Sequence, residues 1–366
     1  MVTVKASSSS KYRIVRDSLE QAIRGGEFMP GDQFPAEQML ATQFGVSYMT
    51  ARRAICELVE ADLLERRSRN GTFVRAHGSK PTQTTVLNLI TFEYDCAATR
   101  EFLREGVRGA ENKGWSANVV RLAKGQQDPA VRAIRNGGYS ILMLHDIPTT
   151  SALAEAILAA PEKVIAMQYR CTLPGVSSIL YDEGRTIDIA VDHLRSFGHR
   201  DIALAVQVPT VETSQLQVAA FRRLLAAEFG VVGADERVIE VVTPRYECPS
   251  QRSYDAVSQY FRKRGADTTA LITLGDEITL GTLPACRDAR RSVPDAVSII
   301  NVGDAPLMAL AEPAITSVDV DFDRQLRVAM QILERRASVP EDPDPIHLVE
   351  PRLISRDSVR KVLVRA

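Results

Sequence analysis

The chain has 366 residues, of which 45% are apolar and 25% charged, and it carries 45 Lys and Arg against 46 Asp and Glu. This length and composition allow about two or three globular domains, while the net charge of −1 excludes a strong overall attraction to nucleic acid or membrane. No run approaches the roughly 18 apolar residues of a membrane span, the N-terminus lacks the apolar region of a secretory signal, and the five cysteines include no CxxC pair, so we expect a cytoplasmic protein without a bound metal.

The N-terminal part, residues 1–76, has the pattern of a small helical domain that ends in a hairpin. Apolar periodicity and turn residues predict three helices and then two strands, over residues 11–24, 36–44, 47–61, 63–67 and 72–75. Gly45 breaks the chain between the second and third helices, and Ser47 is a suitable N-cap for the third. Asn70-Gly71 favours a tight hairpin turn. The pattern therefore predicts a winged helix-turn-helix.

Such a domain binds DNA through its third helix and its hairpin. Arginine suits this task because its planar fork pairs with guanine or with phosphate. The exposed face of the third helix and the hairpin tip would carry Tyr48, Met49, Arg52, Arg53, Arg67, Arg69 and Asn70. A small helical domain with a merely charged surface remains the alternative that the spacing leaves open.

Four stretches in this region resemble the GntR family of bacterial transcription regulators: Pro30–Glu37, Gly45–Ser47, Thr50–Arg52 and Gly71–Val74. The resemblance implies that Arg52 reads a base, that Thr50 and the helix start at Ser47 grip phosphate, and that the wing near Gly71 reaches the minor groove. Gln38 and Tyr48 stand where the family commonly has arginine, and Met49 replaces a commonly polar residue. We therefore expect an operator that differs from the usual family sequence.

A polar stretch with Gly and Pro, residues 77–85, is predicted to be a linker. In residues 86–358, buried strands alternate with helices, which predicts α/β lobes with parallel sheets and a cleft between them. The predicted strands are 86–92, 117–122, 140–144, 164–167, 201–206, 238–242, 270–274 and 297–302. The helix predicted over 322–336 leads into a Pro-rich segment, and residues 359–366 are predicted to form a tail.

The second region resembles the LacI/GalR effector domain, a two-lobed fold like that of periplasmic binding proteins. The stretches that carry this resemblance include Asp182–Gly184, Ala190–Leu194, Gly198–Ala203, Gly275-Asp276, Val297–Ile300, Pro313–Thr316 and Pro351–Arg356. A GntR-type head on a LacI-type body is similar to the arabinose-repressor type of regulator. The resemblance implies that this region binds the effector. We expect a homodimer joined mainly through this region, because one winged helix makes too few contacts for specificity.

The resemblance also implies where an effector binds. Gln217 stands where the family commonly has an arginine, and Asp304 lies one position after the family's sugar-binding aspartate. The other expected effector residues are Gln168, Tyr169, Thr99, Thr213 and Tyr246. The Gln217 amide replaces an arginine guanidinium, which would suit a carboxylate or phosphate. We therefore expect the effector to be a small neutral sugar or polyol. A merely exposed Gln217 on a helix surface is the alternative.

The sequence contains no catalytic signature such as GxSxG, HExxH, or a glycine-rich phosphate loop. We interpret the chain as a transcriptional regulator, a repressor whose affinity for double-stranded operator DNA is controlled by a sugar effector, without a cofactor. An α/β enzyme or a small-molecule-binding protein of similar architecture is the alternative function.

Overall fold

The computed structural model divides the chain into two compact units, Met1–Thr84 and Thr85–Ala366. The structure describes residues 8–24, 27–28, 31–61, 63–67, 71–74, 85–123, 125–144, 147, 150–208, 211–230, 234–244, 247–263, 267–338 and 345–362. Except for Thr85, the predicted linker over 77–85 lies outside the described residues, and its structure stays a prediction.

The first unit contains the three predicted helices and the two predicted strands. Their bounds, with one further strand, are α1 (Ser8–Arg24), β1 (Gln33–Phe34), α2 (Glu37–Phe44), α3 (Tyr48–Glu60), β2 (Leu64–Arg67) and β3 (Gly71–Val74). The additional strand, β1, pairs antiparallel with β3, with Gln33 opposite Phe73. A strand of two residues is too short to produce a periodic pattern, which is why the sequence did not predict it.

The turn between α2 and α3 depends on Gly45 and Ser47. Gly45 ends α2 with a φ of 60°, a left-handed conformation that glycine adopts without a side-chain clash. The Ser47 hydroxyl accepts a hydrogen bond from the Thr50 backbone N–H at 3.2 Å, as an N-cap does. This sharp turn brings the apolar faces of the three helices together in one core, which includes Val15, Leu19, Ile23, Leu40, Ile55 and Leu58.

The second unit is built from two sheets flanked by helices. Its strands are β4 (Val86–Phe92), β5 (Ser116–Leu122), β6 (Tyr139–Met143), β7 (Val164–Met167), β8 (Ser177–Tyr181), β9 (Ile202–Val208), β10 (Val238–Val242), β11 (Ala270–Leu274), β12 (Ser298–Val302), β13 (Thr316–Asp319), β14 (Ile346–Val349) and β15 (Arg352–Ile354). Its α-helices are α4 (Ala97–Asn112), α5 (Asp128–Arg135), α6 (Ala152–Leu158), α7 (Glu183–Ser196), α8 (Glu212–Phe229), α9 (Ser250–Lys263), α10 (Asp276–Asp288), α11 (Pro306–Leu310) and α12 (Phe322–Ser338).

Each sheet forms one lobe. The sheet of the first lobe has the strand order β14-β8-β7-β6-β4-β5, and all neighbouring strands are parallel. The sheet of the second lobe has the order β10-β9-β11-β12-β13-β15, and only β15 runs antiparallel to its neighbour. The predicted α/β fold with two lobes and parallel sheets is confirmed.

The central strands, such as β7, β11 and β12, are buried along nearly their whole length because helices cover both faces of each sheet, whereas the edge strands β5 and β10 are partly exposed. In β4, Leu87 and Leu89 pack in the cluster that contains Phe102 of α4 and Leu326 of α12. Ile90 points to the opposite face and packs in the cluster that contains residues of α5 and α6. The same arrangement recurs in the second lobe, where two separate clusters pack on its sheet.

The chain passes between the lobes at several places. It leaves β8 of the first lobe for α7 of the second, and it returns from β13 to α12, which contacts α4, β7 and β8 of the first lobe. The segment expected to be a Pro-rich extension contains β14 and β15, which join one sheet each. In the predicted tail, Val359 packs against the core of the second lobe, and the Val362 N–H donates to the Phe197 carbonyl at 3.0 Å.

Candidate functional site

The first turns of α3 expose several side chains of the first unit. Tyr48 and Met49 are 43% and 65% exposed, and Arg52 is exposed one turn later. Among the described residues, none forms a hydrogen bond or ion pair with the Arg52 guanidinium. The second helix of a helix-turn-helix contacts base edges in the major groove through exposed side chains near its N-terminus. The exposed start of α3, with the Arg52 guanidinium, is suited to such contacts.

The start of α3 is fixed by two hydroxyl groups. The Ser47 and Thr50 hydroxyls lie 2.8 Å apart, and the Ser47 oxygen also accepts from the Thr50 N–H. The first N–H groups of a helix lack intrahelical acceptors and attract anions. The expected phosphate contact of this segment therefore has suitable backbone donors, held in place by the cap.

Arg53 differs from Arg52 because it has partners inside the first unit. Its guanidinium carbon lies 4.3 Å from the centre of the Tyr12 ring, and its Nε lies 3.8 Å from a carboxylate oxygen of Glu57. A cation over an aromatic face is attracted by the ring quadrupole. Arg53 thus joins α3 to α1, a role that its exposure in the sequence pattern did not indicate.

The hairpin is anchored to the rest of the first unit through Arg66. Its guanidinium donates to Glu37 at the start of α2 at 3.1 Å, and the two strands place Arg67 opposite Gly71. Two expected DNA contacts, Arg69 and Asn70, lie outside the described residues, as does the side chain of Arg67. The base of the wing is therefore observed where it was expected, and the roles of its tip remain predictions.

A cavity of about 370 Å³ in the second unit is lined by residues of both lobes. Its walls follow the carboxyl ends of parallel strands, the position where open α/β sheets hold their ligands. The segments that line it include Gln168, Tyr181, Gly275–Glu277, Val302–Ala305 and Asp319–Asp323. Of the seven expected effector residues, Gln168, Gln217 and Asp304 reach this cavity.

Gln217 is buried rather than exposed. Only 3% of it is accessible to solvent, and its amide donates to the Thr186 hydroxyl at 3.1 Å. The alternative of a surface glutamine is therefore excluded. Thr186 in turn donates to the Glu183 carbonyl at 2.6 Å, so the glutamine is held by the first turn of α7 with its side chain in the cavity wall.

Gln168 follows β7 directly and adopts a left-handed backbone conformation with a φ of 61°. Its amide nitrogen is buried and has no hydrogen-bond acceptor among the described residues. A buried donor without an acceptor costs about 1–3 kcal/mol. A ligand oxygen in the cavity would remove this cost.

Asp276 belongs to a stretch that resembles the LacI/GalR effector domain, but the sequence did not assign it to the effector site. It follows β11 at the start of α10 and is 8% exposed. One of its oxygens accepts from the Asn301 amide at 2.8 Å and from the Ala305 N–H at 3.2 Å. Burial raises the pKa of Asp276 to about 7. Its position at the end of a buried parallel strand was the signal that could have identified it.

Asp304 lines the cavity, but both of its oxygens already have a partner. They accept from the Arg356 guanidinium at 2.6 and 2.8 Å. The preceding residue, Gly303, has a φ of 118°, and a Cβ atom there would lie 3.0 Å from the Asp276 carboxylate. Asp276 thus fills the space beside the position where related domains carry their aspartate, and Asp304 holds an arginine.

The remaining expected effector residues are placed differently. Tyr169 is 8% exposed and packs in the hydrophobic core of the first lobe. Thr99 is buried at the start of α4, with its hydroxyl 3.2 Å from the Cys96 sulfur. Neither belongs to the cavity lining, because the strand or helix end that carries each one points it into its own lobe.

Thr213 is close to the cavity through another residue, since its side chain forms a hydrogen bond with the Tyr181 hydroxyl. Tyr246 lies outside the described residues. The aromatic side chains that do line the cavity are those of Tyr181 and Phe322. They sit at the crossings between the lobes, which apolar periodicity alone could not locate.

The cavity lining is rich in acidic side chains. Eight carboxylates line it, against the guanidinium groups of Arg104 and Arg352. These carboxylates are Glu101, Glu105, Asp276, Glu277, Asp304, Asp319, Asp321 and Asp323. Over the described residues, no group of His, Cys, Asp and Glu has an arrangement that could hold a metal ion. No helix in the described ranges is long and apolar enough to span a membrane.

Both units match known protein families. Residues 11–74 match the family of bacterial regulatory proteins called gntR, and residues 191–359 match a periplasmic binding protein-like domain. An arabinose metabolism transcriptional repressor of Geobacillus stearothermophilus is 25% identical over 98% of this chain and 100% of its own length. The mannosyl-D-glycerate transport/metabolism system repressor MngR of Escherichia coli K12 is 44% identical over 64 residues, or 18% of this chain and 27% of its own length.

Solved structures share the fold of the second unit. A LacI family transcriptional regulator from Enterococcus faecium with bound ribose superposes with a TM-score of 0.65 at 16% identity, over 76% of this chain and 100% of its own. A LacI family regulator from Arthrobacter sp. FB24 in complex with lactose gives a TM-score of 0.63 at 19% identity, over 75% and 99%. The chain is therefore a bacterial transcription regulator that joins a gntR-family DNA-binding domain to a periplasmic binding protein-like domain of the LacI type.

Proposed function

We propose that this regulator represses transcription by binding operator DNA through α3 and the β2–β3 hairpin, and that a sugar or polyol in the cavity controls its affinity for that DNA. The observation that carries the proposal is a cavity lined from both lobes, in whose wall the buried amide nitrogen of Gln168 has no acceptor among the described residues. The names of the relatives, repressors of sugar metabolism, support the direction of control.

On DNA, Arg52 reads a base edge, because it is exposed near the helix N-terminus and has no partner among the described residues. Ser47 and Thr50 hold the start of α3 so that its free N–H groups meet a phosphate. The wing residues Arg67, Arg69, Asn70 and Gly71 approach the minor groove. Arg53 keeps α3 packed on α1 and contributes positive charge rather than base recognition.

In the cavity, Gln168, Gln217 and Asp276 supply the polar groups that fix a ligand's orientation, while Tyr181 and Phe322 supply aromatic walls. Thr213 orients the Tyr181 hydroxyl. Asp304 holds Arg356 in place at the base of the cavity. The ligand is bound without chemical change, in keeping with the two relatives named above, which are both repressors.

The protein acts in the cytoplasm as a homodimer, with the second unit joining two copies. Two copies of α3 then contact two half-sites, which supplies the specificity that a single short helix lacks. The predicted linker, residues 77–85, transmits the effect of the ligand to the first unit.

The DNA part of the proposal is tested by selecting bound sequences from random duplexes and measuring the affinity of variants. Arg52→Ala should cost about 1–3 kcal/mol of specific binding and relax the preference at one base pair. Arg53→Ala is the matched control, which should weaken binding to all sequences by a similar factor. If Arg52→Ala weakened all sequences equally, the assignment of Arg52 to base reading would be contradicted.

The ligand part is tested by screening neutral, amino and acidic sugars for a change in the melting temperature of the full-length protein, and then for a change in operator affinity. A ligand at about 100 times its Kd adds about 2.7 kcal/mol to the folded state. Binding should be lost in Gln168→Ala. If no sugar changed operator affinity, the proposal for the second unit would fail.

A further inference from the structure

The charge of the cavity lining indicates which charge the ligand carries, which the fold alone does not. Six of the eight carboxylates in its lining have an arginine partner within 4 Å: Glu101, Glu105, Glu277, Asp304, Asp319 and Asp323. The arginines that supply these partners are Arg100, Arg104, Arg108, Arg327, Arg352 and Arg356. Eight carboxylates against six guanidinium groups leave a surplus of negative charge, and no lysine or histidine belongs to the described lining.

Asp276 and Asp321 are the two lining carboxylates without an arginine partner among the described residues, and Asp276 is the more deeply buried of the two. Within the described ranges no cationic side chain lies at ion-pair distance from it, and its hydrogen-bond donors, the Asn301 amide and the Ala305 N–H, are both neutral. The charged neighbours that act on it are Glu277 and Asp304, both negative, and they raise its pKa beyond the effect of burial. A buried carboxylate in such surroundings is stabilised most by a cation placed beside it.

The amide groups in the wall indicate what else the ligand must carry. The buried Gln168 nitrogen lacks an acceptor among the described residues, and this observation is independent of the acidic groups. A ligand oxygen is one acceptor that would satisfy this nitrogen. Gln217, which stands in the place of the arginine expected from related domains, cannot neutralise a ligand carboxylate or phosphate. The neutral acceptor oxygens of a sugar are its hydroxyl groups and its ring oxygen.

We propose that the effector is an amino sugar, whose hydroxyl groups bind Gln168 and Gln217 and whose ammonium group binds Asp276. This proposal rests on the proposed function of the cavity as the effector site. It replaces the neutral ligand expected from the sequence, because the surplus of carboxylates depends on which of the 46 acidic residues the fold brings together.

Calorimetry of the full-length protein with matched sugars tests the proposal. The series are glucose, glucosamine and glucuronate; galactose, galactosamine and galacturonate; and mannose, mannosamine and mannuronate, at a pH where the amine is protonated. We expect an amino sugar to bind with a Kd at least about tenfold lower than its neutral counterpart, and this advantage should shrink as salt is added.

Variants locate the effect. Asp276→Asn keeps the shape of the side chain and removes its charge, so it should abolish the preference for the amino sugar over its neutral counterpart. Asp192→Asn is the matched control, since Asp192 lies on α7 with 57% of its side chain exposed, and it should retain the full preference. Melting temperatures of both variants verify that they are folded.

Three results would overturn the proposal: a neutral or acidic sugar that binds as tightly as its amino counterpart, an absence of binding by every amino sugar at millimolar concentration, or a preference that survives Asp276→Asn. If a neutral sugar bound and changed operator affinity, the proposed function would stand and only the charge assignment would fail. If none of these sugars bound and none of a wider set changed operator affinity, both would fail.

Discussion

Asp276 occupies the cavity wall at a cost to the stability of the second unit. A carboxylate whose pKa is higher in the folded than in the unfolded state opposes folding once the pH exceeds its unfolded pKa. Burial raises the pKa of Asp276 from 3.8 to about 7. The penalty is therefore small near pH 4, grows as the pH rises through this range, and is complete above about pH 7. Groups kept at such a cost are concentrated at binding sites.

Asp276→Asn should consequently make the ligand-free protein more stable at high pH. The gain should be on the order of 4 kcal/mol at pH 8 and close to zero near pH 4. Melting temperatures of the native protein and the variant across this pH range provide the measurement, with Asp192→Asn as a control that should show no such trend. A variant less stable than the native protein at pH 8 would contradict the pKa argument.

A second residue-scale prediction separates Asp304 from Asp276. Asp304→Ala leaves the Arg356 guanidinium, which is 17% exposed, with a backbone carbonyl and a hydroxyl as its remaining partners. Removal of one member of a largely buried ion pair should cost about 2–4 kcal/mol. Denaturant unfolding measures this loss, and adding Arg356→Met should recover part of it. An unchanged stability would show that the pair is not a structural one.

The sequence predicted the positions of some cavity residues but not of others. Gln168 and Gln217 could be predicted because each occupies a position that the family resemblance assigns to the cavity. The sequence could not show that Tyr169 lies in the core rather than in the cavity wall. The direction of a side chain near a strand end depends on backbone dihedral angles, which the sequence does not display. For the same reason, the sequence could not show that Asp276 lies in the cavity wall.

At the scale of secondary structure, some helices begin about one turn earlier than predicted. Apolar periodicity predicts helices over 100–113, 187–197 and 216–229, whereas α4, α7 and α8 begin at Ala97, Glu183 and Glu212. The first turn of a helix often lacks the periodic apolar residues that reveal its later turns. The short strands β1, β8 and β13–β15 were missed for a related reason, because segments of two to five residues contain too few apolar positions for a pattern.

The exposed start of α3 leads to a prediction about base recognition. Met49 and Tyr48 are apolar side chains where a DNA-reading helix would meet base edges, and apolar groups there contact the methyl group of thymine. Replacement of the contacted thymine by deoxyuridine in a selected operator should weaken binding by about 1 kcal/mol, or roughly fivefold. Gel-shift titrations should show this loss for the native protein but not for Met49→Ala. An equal loss in both proteins would mean that Met49 does not contact the methyl group.

At the scale of the whole molecule, the alternation of apolar strands and helices was sufficient to predict two lobes with parallel sheets. It was not sufficient to predict the cavity, whose lining comes from segments between residues 98 and 354. The side chains of those segments meet only because the chain crosses between the lobes after β8, β13 and β14. The interface of the proposed homodimer could not be predicted for a similar reason, because no periodic pattern in the sequence identifies the surfaces that form it.

The homodimer makes a prediction about the length of the operator. One α3 covers only a few base pairs, so a single copy should bind a half-site weakly, whereas two linked copies gain the effective concentration of an intramolecular second contact. A full palindromic operator should therefore bind at least about 100-fold more tightly than a duplex in which one half-site is scrambled. Gel-shift titrations of the two duplexes measure this ratio, and light scattering of the free protein at micromolar concentration should give twice the 40.3 kDa mass of the chain. A monomeric mass together with equal affinity for both duplexes would contradict the dimer, because the second half-site would then contribute nothing to binding.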